Sequence, residues 1–356
     1  MSRILGWLRR NERALSGLTL LGGFLFDAYF FRRIDLPFEN IAIILHFVVG
    51  FFAMIVLHVA TSRFAHLRIS RWVSASFPLI LQFAIGGLFG KFFIFFFKSG
   101  SVIVSWPVLA VLLFLAIANE RVRGHYARLN FSLGVFYTAL LVYCTIAAPI
   151  FLESISAASF IAGGIVSLVI IASIIALIHY FSHDINPREE RWLFGIIVGV
   201  FLLFNGMYFA NILPPIPLAL KEAGVYHGIA RTAPGVYEGR VEARSWIPFQ
   251  NQVFHRVHTE PVYVFTAVFA PPHLQATVVH VWQYQNQKGE WVTTQSIPIE
   301  IVGGRDGGYR GYSLRSNAQA GLWRVDVETE DGKLLGRVKF QIEEVVTSPD
   351  TKLVTL

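Results

Sequence analysis

The chain has 356 residues, of which 54% are hydrophobic and 15% are charged, and its mean hydropathy is +0.54. This composition is too apolar for a soluble globular protein and is typical of a protein with several membrane spans. The formal net charge of +7 lies entirely before residue 211, because the residues from 211 onward carry equal numbers of acidic and basic side chains. A neutral C-terminal part argues against nucleic-acid binding, which requires a basic patch. The single cysteine, Cys144, excludes a disulfide within the chain.

Seven apolar segments are long enough, or nearly so, to cross a hydrocarbon core that needs about 20 helical residues. They cover 14–31, 41–60, 73–97, 102–118, 131–150, 160–181 and 192–210. Only four residues separate the third segment from the fourth, which predicts a tight hairpin, and Pro107 is expected to kink the fourth. The sequence therefore predicts a transmembrane helical bundle over 1–210, with about seven helices.

The loop charges predict how this bundle is oriented, because arginine and lysine are retained on the cytoplasmic side. One set of alternate loops, including the N-terminal segment, carries 12 arginines, and the opposite loops carry only Arg32, Arg33 and Lys98. We therefore expect a cytoplasmic N-terminus, a retained first span that acts as a signal anchor, and an extracytoplasmic C-terminal domain. The stretch 211–223, with Pro214, Pro215 and Pro217, is predicted to be a stiff junction between the two parts.

The remaining residues, 224–356, show the pattern of a β domain. Strand-like runs cover 225–231, 262–269, 276–284, 291–302, 309–315, 322–328 and 335–342, with Gly, Pro and Asn turns between them. Seven short strands predict an immunoglobulin-like β-sandwich that lacks the disulfide of antibody domains. The segment 235–257, which contains Trp246, fits neither pattern. It is expected to lie as an ordered loop on a membrane or partner, or to cover the edge of the sandwich.

Several stretches of this domain resemble one bacterial family. They read PPIPLALKEAGVYHGIART, VYVFTAVFAP, VVHVWQY, VGGRDGGYRGYS and GLWRVDVETEDGKLLGRVKF, and they cover most of 214–343. Their combination resembles the domain of unknown function 2914. The resemblance implies an extracytoplasmic β domain, placed here behind a multi-span part in a bacterial inner membrane. It implies no reaction, cofactor or catalytic residue.

Ionisable residues within the apolar segments are candidates for function, because charge is costly in a bilayer. Asp27 and His46 fall toward the same leaflet, where they would bind a cation or relay a proton; alternatively, each is solvated or holds two helices together. Lys91 is expected to extend its amine toward the interface. His179 and His183 share a helix face and suit a divalent metal, or they complement a helix C-terminus. No second cluster completes a metal site, so we predict neither a metal nor a cofactor.

The β domain offers one set of polar and aromatic residues suited to ligand binding. It consists of His280, Trp282, Arg305, Tyr309, Arg310 and Tyr312, with Trp246 as a further candidate. Aromatic rings beside arginines suit sugars or anionic polymers, although the same residues also stabilise sheet faces. The glycines of 303–308 lie between two strands and lack the Lys-Ser/Thr of a phosphate-binding loop, so they predict a hairpin turn.

Three functions fit these features. The first is an accessory or scaffold protein of the cell envelope, whose β domain binds an envelope protein or a glycan. The second is a transporter or channel component that uses Asp27 and His46. The third is an enzyme acting on lipid-linked glycans, with Glu153 or Asp27 as acid or base. No catalytic residue is predicted. The lipid bilayer is the expected partner of the helical part, and the oligomeric state is left open.

Overall fold

The structure is a computed structural model. It describes residues 29, 37–62, 66, 68–99, 102–121, 128–181, 187–215, 217–242, 252–257, 259–272, 274–304 and 307–356. The chain divides into two compact units. One contains the helices. The other contains the strands together with Ser99–Ser105 and Ile150–Ser156, two segments at helix ends.

The described residues contain six long helices. They are α1 (Pro37–Ser62), α2 (Arg68–Ser99), α3 (Val102–Arg121), α4 (Leu129–Phe151), α5 (Ala157–Phe181) and α6 (Pro187–Phe209). Five of these six are long and apolar enough to cross a membrane, whereas the apolar part of α3, Trp106–Asn119, is shorter. The six correspond to the second to seventh predicted segments. The predicted segment 14–31 lies outside the described residues, apart from residue 29.

The starts of α1 and α6 follow the same local chemistry. Each begins at a proline, Pro37 or Pro187, and proline suits the first helical position because it has no N–H to leave unpaired. Glu39 lies in the first turn of α1, and Glu189 and Glu190 lie in that of α6. Their carboxylates favour the positive end of the helix dipole. These residues account for the positions at which the two helices begin.

Hydrogen bonds between helices satisfy polar groups inside the bundle. Gln82 of α2 donates to the Asn119 carbonyl at 3.2 Å, and Asn119 of α3 donates back to the Gln82 carbonyl at 3.0 Å. A Cβ at Gly86 would lie 2.7 Å from the Asn119 amide nitrogen, so glycine makes room for this contact. Between α4 and α1, Tyr143 donates to the Asn40 side chain at 3.0 Å. Such bonds tie helices together where apolar packing alone is not specific.

The β unit has eleven described strands. They are β1 (Ala219–Tyr226), β2 (Gly228–Ala233), β3 (Val236–Glu242), β4 (Gln252–Val257), β5 (Val262–Phe269), β6 (Gln275–Gln285), β7 (Trp291–Val302), β8 (Tyr309–Arg315), β9 (Gly321–Thr329), β10 (Leu334–Val345) and β11 (Thr351–Thr355). They form three sheets: the inner sheet β1-β5-β8, the large sheet β4-β10-β9-β6-β7 and the outer sheet β11-β3-β2. All strand pairs are antiparallel except β4 with β10.

The inner sheet is packed on both faces, as the alternation of side chains along β5 shows. Val262 and Val264 join an apolar core with Trp282 of the large sheet. Phe265 instead joins a second cluster with residues of the outer sheet. Successive strand residues point to opposite faces, so one strand contributes to two cores. This explains why nearly every residue of β5 is buried.

Strands β9 and β10 of the large sheet show how side chains alternate between a core face and an opposite face. Their core-facing residues Trp323, Val325, Val327, Val338, Phe340 and Ile342 are all buried. The opposite face also contains a buried side chain, that of Asp326. The Arg337 guanidinium donates to both oxygens of the Asp326 carboxylate, 2.6 Å for the Nη2 contact. This ion pair compensates the cost of burying the carboxylate.

Several details of the predicted β domain need correction. The immunoglobulin-like sandwich is not confirmed, since the described strands form three sheets rather than two. The predicted strand 225–231 is two strands that meet at His227, where the chain passes from the inner sheet to the outer sheet. The segment 235–257 contains β3 and β4, so it is not a single loop. The predicted junction 211–223 contains the beginning of β1.

The glycine-rich stretch 303–308 is not a hairpin turn, because β7 and β8 belong to different sheets. It carries the chain from the edge of the large sheet to the edge of the inner sheet. A Cβ at Gly303 would lie 1.7 Å from the Pro271 carbonyl oxygen, so only glycine fits this close backbone approach. The glycines here serve chain packing.

Candidate functional site

The inner sheet separates the residues predicted to form a ligand-binding surface. Tyr312 pairs with Phe265, and Arg310 pairs with Ala267, so both side chains point toward the outer sheet. Tyr309 pairs with Val268 and points the other way, where it packs against the core shared with the large sheet. Directly paired residues of an antiparallel ladder lie on the same face, which gives this assignment.

The prediction of a surface role is wrong for His280 and Trp282, because both side chains are 0% exposed. The His280 ring lies between two hydroxyls, 2.9 Å from Thr266 Oγ1 and 2.8 Å from Ser313 Oγ. Trp282 Nε1 donates to the same Ser313 oxygen at 3.0 Å. We call these four residues the hydroxyl network. Burial lowers the pKa of His280 to about 4, so the ring is neutral at neutral pH.

Three tyrosines from two sheets meet on the other face of the inner sheet. Tyr312 of β8 lies 6.1 Å from Tyr237 of β3 and 6.0 Å from Tyr263 of β5, measured between ring centroids. The Tyr312 side chain is 39% exposed, and the other two are partly buried. We call these residues the tyrosine cluster. Sequence analysis found Tyr312 but not its two partners, which come from strands distant in the chain.

Arg310 lies two residues from Tyr312 on the same face of β8. Its Nη1 donates to the Gly235 carbonyl at 2.5 Å, which joins β8 to the turn before β3. Leu314, on the same face of β8, is also 39% exposed. This face of β8 thus presents a guanidinium and an exposed aliphatic side chain in addition to the aromatic ring of Tyr312. Trp246 and Arg305, which were predicted to join this surface, lie outside the described residues.

Three of the polar residues predicted within the membrane part, His46, Lys91 and His179, are described, and they lie on three different helices. His46 of α1 donates from Nδ1 to the Ala42 carbonyl at 2.7 Å, and its ring stacks on Phe83 of α2. Lys91 is buried in α2. His179 of α5 lies 3.8 Å from Glu190 of α6. Asp27 and His183 fall outside the described residues, so the predicted Asp27–His46 and His179–His183 pairs are not described.

Sequence analysis missed a chain of carboxylates and imidazoles in the β unit. Glu242 of β3 lies at its centre, 2.7 Å from His227 Nε2 and 2.7 Å from His255 Nδ1. Beyond these rings, His227 Nδ1 is 3.4 Å from Glu260, and His255 Nε2 is 4.0 Å from Glu343. We call these five residues the carboxylate–imidazole ladder. No local spacing joins them, because three lie in different strands and His227 and Glu260 lie in connections between strands.

Hydrogen bonds set the charge of the central carboxylate. Burial alone would raise the pKa of Glu242, but hydrogen bonds from the side chain and backbone of His255 and from His227 lower it below its ordinary value. Glu242 is therefore ionised at neutral pH. Among the described residues, no group of three or more His, Cys, Asp or Glu side chains has the arrangement of a metal site.

An open cleft of about 670 Å³ lies at one end of the β unit. Four carboxylates line it, those of Glu153, Glu300, Glu330 and Asp331. Glu153 adopts a left-handed backbone conformation with φ of 50°. The lining favours cationic groups over anionic ones. Glu153, which was predicted as an acid or base, therefore lines the same cleft as three other carboxylates.

These features define a class of protein: one with several helices long and apolar enough to cross a membrane, followed by a β-rich domain. Residues 275–342, from β6 into β10, match the sequence model of a family described as "Protein of unknown function (DUF2914)". This match confirms the resemblance to that family over about one fifth of the chain. It contains the large-sheet strands that carry His280, Trp282 and Asp326.

Two further comparisons add no functional information. No curated protein matches the chain. Among solved structures, a Pseudomonas fluorescens alkylpurine DNA glycosylase, AlkC, bound to DNA with an abasic site analog is 10% identical. The match covers 88% of this chain and 100% of that chain with a TM-score of 0.23, which is too low to indicate a shared fold.

Proposed function

We propose that this chain is a membrane-anchored binding protein of the bacterial cell envelope, and that its extracytoplasmic β domain binds a glycan at the tyrosine cluster. The bundle supplies the anchor and the β unit supplies the binding surface. This function is the accessory role expected from the sequence, with the surface now assigned to Tyr237, Tyr263 and Tyr312.

The observation that carries the proposal is the convergence of three tyrosine rings at a partly open position between two sheets. Tyrosine presents a broad apolar face and a hydroxyl at little entropic cost, which suits the mixed polar and apolar faces of a sugar ring. Arg310, which donates to the Gly235 carbonyl, adds a positive charge on the same face of β8 as Tyr312. A guanidinium in this position favours glycans that carry carboxylate or phosphate groups.

The extracytoplasmic location is supported by the loop charges and by one feature of the β unit. The segment Ile150–Ser156 belongs to this unit, and Ile155 packs against its apolar core. This segment joins α4 to α5 and contains no lysine or arginine. The positive-inside rule therefore assigns it, and the β unit with it, to the side opposite the arginine-rich loops.

The test is binding of the full-length protein, in detergent, to an array of bacterial envelope glycans that includes anionic polysaccharides and peptidoglycan fragments. Tyr312→Ala should weaken the strongest interaction about tenfold, because it removes a partly exposed aromatic contact at the centre of the cluster. Tyr312→Phe, which keeps the ring, should lose much less. Val292→Ala serves as the control, since Val292 is also partly exposed but lies on β7 of the large sheet.

The proposal fails if the native protein binds no glycan on the array. It fails equally if Tyr312→Ala binds as tightly as the native protein, because binding would then use another surface. A fall in affinity for Val292→Ala as large as that for Tyr312→Ala would also contradict the assignment, since it would indicate a general loss of structure.

A further inference from the structure

The outer sheet brings a second arginine to the tyrosine cluster. Arg231 of β2 pairs directly with Tyr237 of β3, so the two side chains lie on the same face of the outer sheet. This face packs on the inner sheet, because Ile229 and Tyr237 both belong to the apolar cluster around Phe265. Directly paired side chains have Cβ atoms about 5 Å apart, so Arg231 lies beside the Tyr237 side chain.

We propose that the tyrosine cluster selects acidic glycans, and that Arg231 and Arg310 together determine this selectivity. The inference rests on the proposed glycan-binding function and names its class of ligand, a glycan whose sugar rings carry carboxylate groups. The tyrosine rings stack on the sugars, and the two arginines pair with the carboxylates. Both the outer and the inner sheet contribute a charge to the site, because the two arginines lie in different sheets.

The two arginines approach the cluster from different strands. Arg231 lies beside Tyr237 in the outer sheet, whereas Arg310 lies two residues from Tyr312 on β8 of the inner sheet. The Tyr237 and Tyr312 rings, whose centroids are 6.1 Å apart, connect the two positions. A sugar stacked on either ring therefore has an arginine at an adjacent position of the same sheet face.

Neither arginine has a carboxylate partner among the described residues. Arg310 donates from Nη1 to a neutral acceptor, the Gly235 carbonyl. Arg231 is exposed and makes no hydrogen bond or ion pair with the described part of the chain. By contrast, Arg337 of the large sheet donates to both oxygens of the Asp326 carboxylate. The charges of Arg231 and Arg310 thus remain available to an anionic ligand.

The faces around the cluster place little negative charge near these arginines. In the inner sheet, Glu222 of β1 lies on this face, where it pairs with Ala267. Arg310 pairs with Ala267 from the other side, so two strand spacings, about 10 Å, separate it from Glu222. In the outer sheet, Glu238 and Glu242 of β3 fall on the opposite face, because successive strand residues alternate. The local charge of the side chains favours an anion.

The adjacency of ring and cation favours a charge that is attached to the sugar itself. A guanidinium presents a planar pair of N–H donors that matches the two oxygens of a carboxylate. A uronic acid carries its carboxylate on a ring carbon, so one sugar can stack on a tyrosine and pair with the neighbouring arginine at once. A polymer of such sugars repeats both features and can therefore use both arginines.

Binding of the full-length protein, in detergent, to oligogalacturonate and to its methyl ester tests the inference. The two probes share one sugar backbone, and esterification removes the negative charge. The native protein should bind the acid about tenfold more tightly than the ester at low salt, because two exposed charge pairs contribute. This preference should shrink as the salt concentration rises, since salt screens exposed charges.

Substitution of either arginine should reduce the preference and leave the stacking contacts in place. Arg231→Gln and Arg310→Gln should each weaken binding of the acid about threefold, and the double variant should bind acid and ester equally. The affinity for the ester should stay at the native value, which shows that a variant is folded. Lys288→Gln is the matched control, because Lys288 is exposed in the turn between β6 and β7 and should not affect either probe.

The inference is overturned if the native protein binds acid and ester equally, or if the folded double variant keeps the native preference. If Arg310→Gln does not fold, Arg231→Gln alone decides, because the exposed Arg231 side chain makes no hydrogen bond with the described part of the chain. An unchanged preference in Arg231→Gln then overturns the inference.

The same experiment separates this inference from the proposed function. If neither galacturonate probe binds while another glycan binds in a manner that depends on Tyr312, the selectivity for carboxylates is overturned and the glycan-binding function stands. If no glycan binds at all, both are overturned.

Discussion

Two histidines of the β unit are equally buried and have opposite surroundings. His280, with 0% exposure, lies among two hydroxyls and an indole N–H in the hydroxyl network. His227, with 4% exposure, lies between the carboxylates of Glu242 and Glu260. The first ring has only neutral partners, and the second lies beside two carboxylates.

The comparison teaches that burial alone does not set the role of a histidine. Desolvation disfavours an imidazolium ion, and nothing near His280 compensates for it. Beside His227, by contrast, Glu242 and Glu260 supply negative charge. The hydroxyl network should therefore weaken in acid.

The largest effect is expected from Ser313→Ala, which breaks the hydroxyl network. Ser313 is the shared partner of His280 and Trp282, so its loss leaves two buried polar groups without that contact. Each lost contact should cost about 2 kcal/mol, so the free energy of unfolding of the β unit should fall by about 4 kcal/mol. Hydrogen exchange of the slowest amides in β6 and β9 measures this change.

Ser316→Ala is the matched control for that variant, because Ser316 is exposed and lies three residues along the chain. It should change stability by less than about 0.5 kcal/mol. The effect of Ser313→Ala should also be the same at pH 7 and pH 8, since neither hydroxyl nor indole titrates there. A pH-dependent loss in this range would mean that the hydroxyl network is not neutral.

The next largest effect is the acid response of His280. Its pKa is lowered to about 4 in the folded protein, compared with about 6.5 for an unfolded chain. Between these values the unfolded chain binds the proton and the folded protein does not, so stability is present above pH 6.5 and is lost as the pH falls toward 4. The loss from this residue should be roughly 3 kcal/mol.

Because carboxylates also titrate toward acid pH, the native protein alone does not isolate this contribution. His280→Gln keeps polar atoms in the network and removes the titrating ring. The slope of unfolding free energy against pH, between pH 6.5 and 4, should be smaller in this variant than in the native protein. Equal slopes would show that His280 gains its proton without cost.

The sequence predicted much of this architecture because the responsible signals are local. The strands 262–269, 291–302 and 309–315 were predicted with the bounds that the structure gives to β5, β7 and β8. Alternation and turn residues are properties of short windows, and they do not depend on which layer covers a strand. For the same reason, the sequence did not distinguish two sheets from three.

The candidate sites depended on contacts that no local pattern contains. Arg310 and Tyr312 were predicted together with His280 and Trp282, but the inner sheet places the two pairs on opposite sides. The ladder residues lie at 227, 242, 255, 260 and 343, and only the crossing between sheets brings them together. The break at His227 lacked a strong turn signal, so the prediction ran one strand through it.

The smallest expected effect comes from comparing two positions within the ladder. Glu242→Gln removes the charge that both imidazoles share and should cost about 1 to 2 kcal/mol of unfolding free energy at pH 6. Glu343→Gln should cost less than about 0.5 kcal/mol, because Glu343 is about half exposed and 4.0 Å from the His255 ring. Equal costs for Glu242→Gln and Glu343→Gln would show that the central position of Glu242 in the ladder has no energetic consequence.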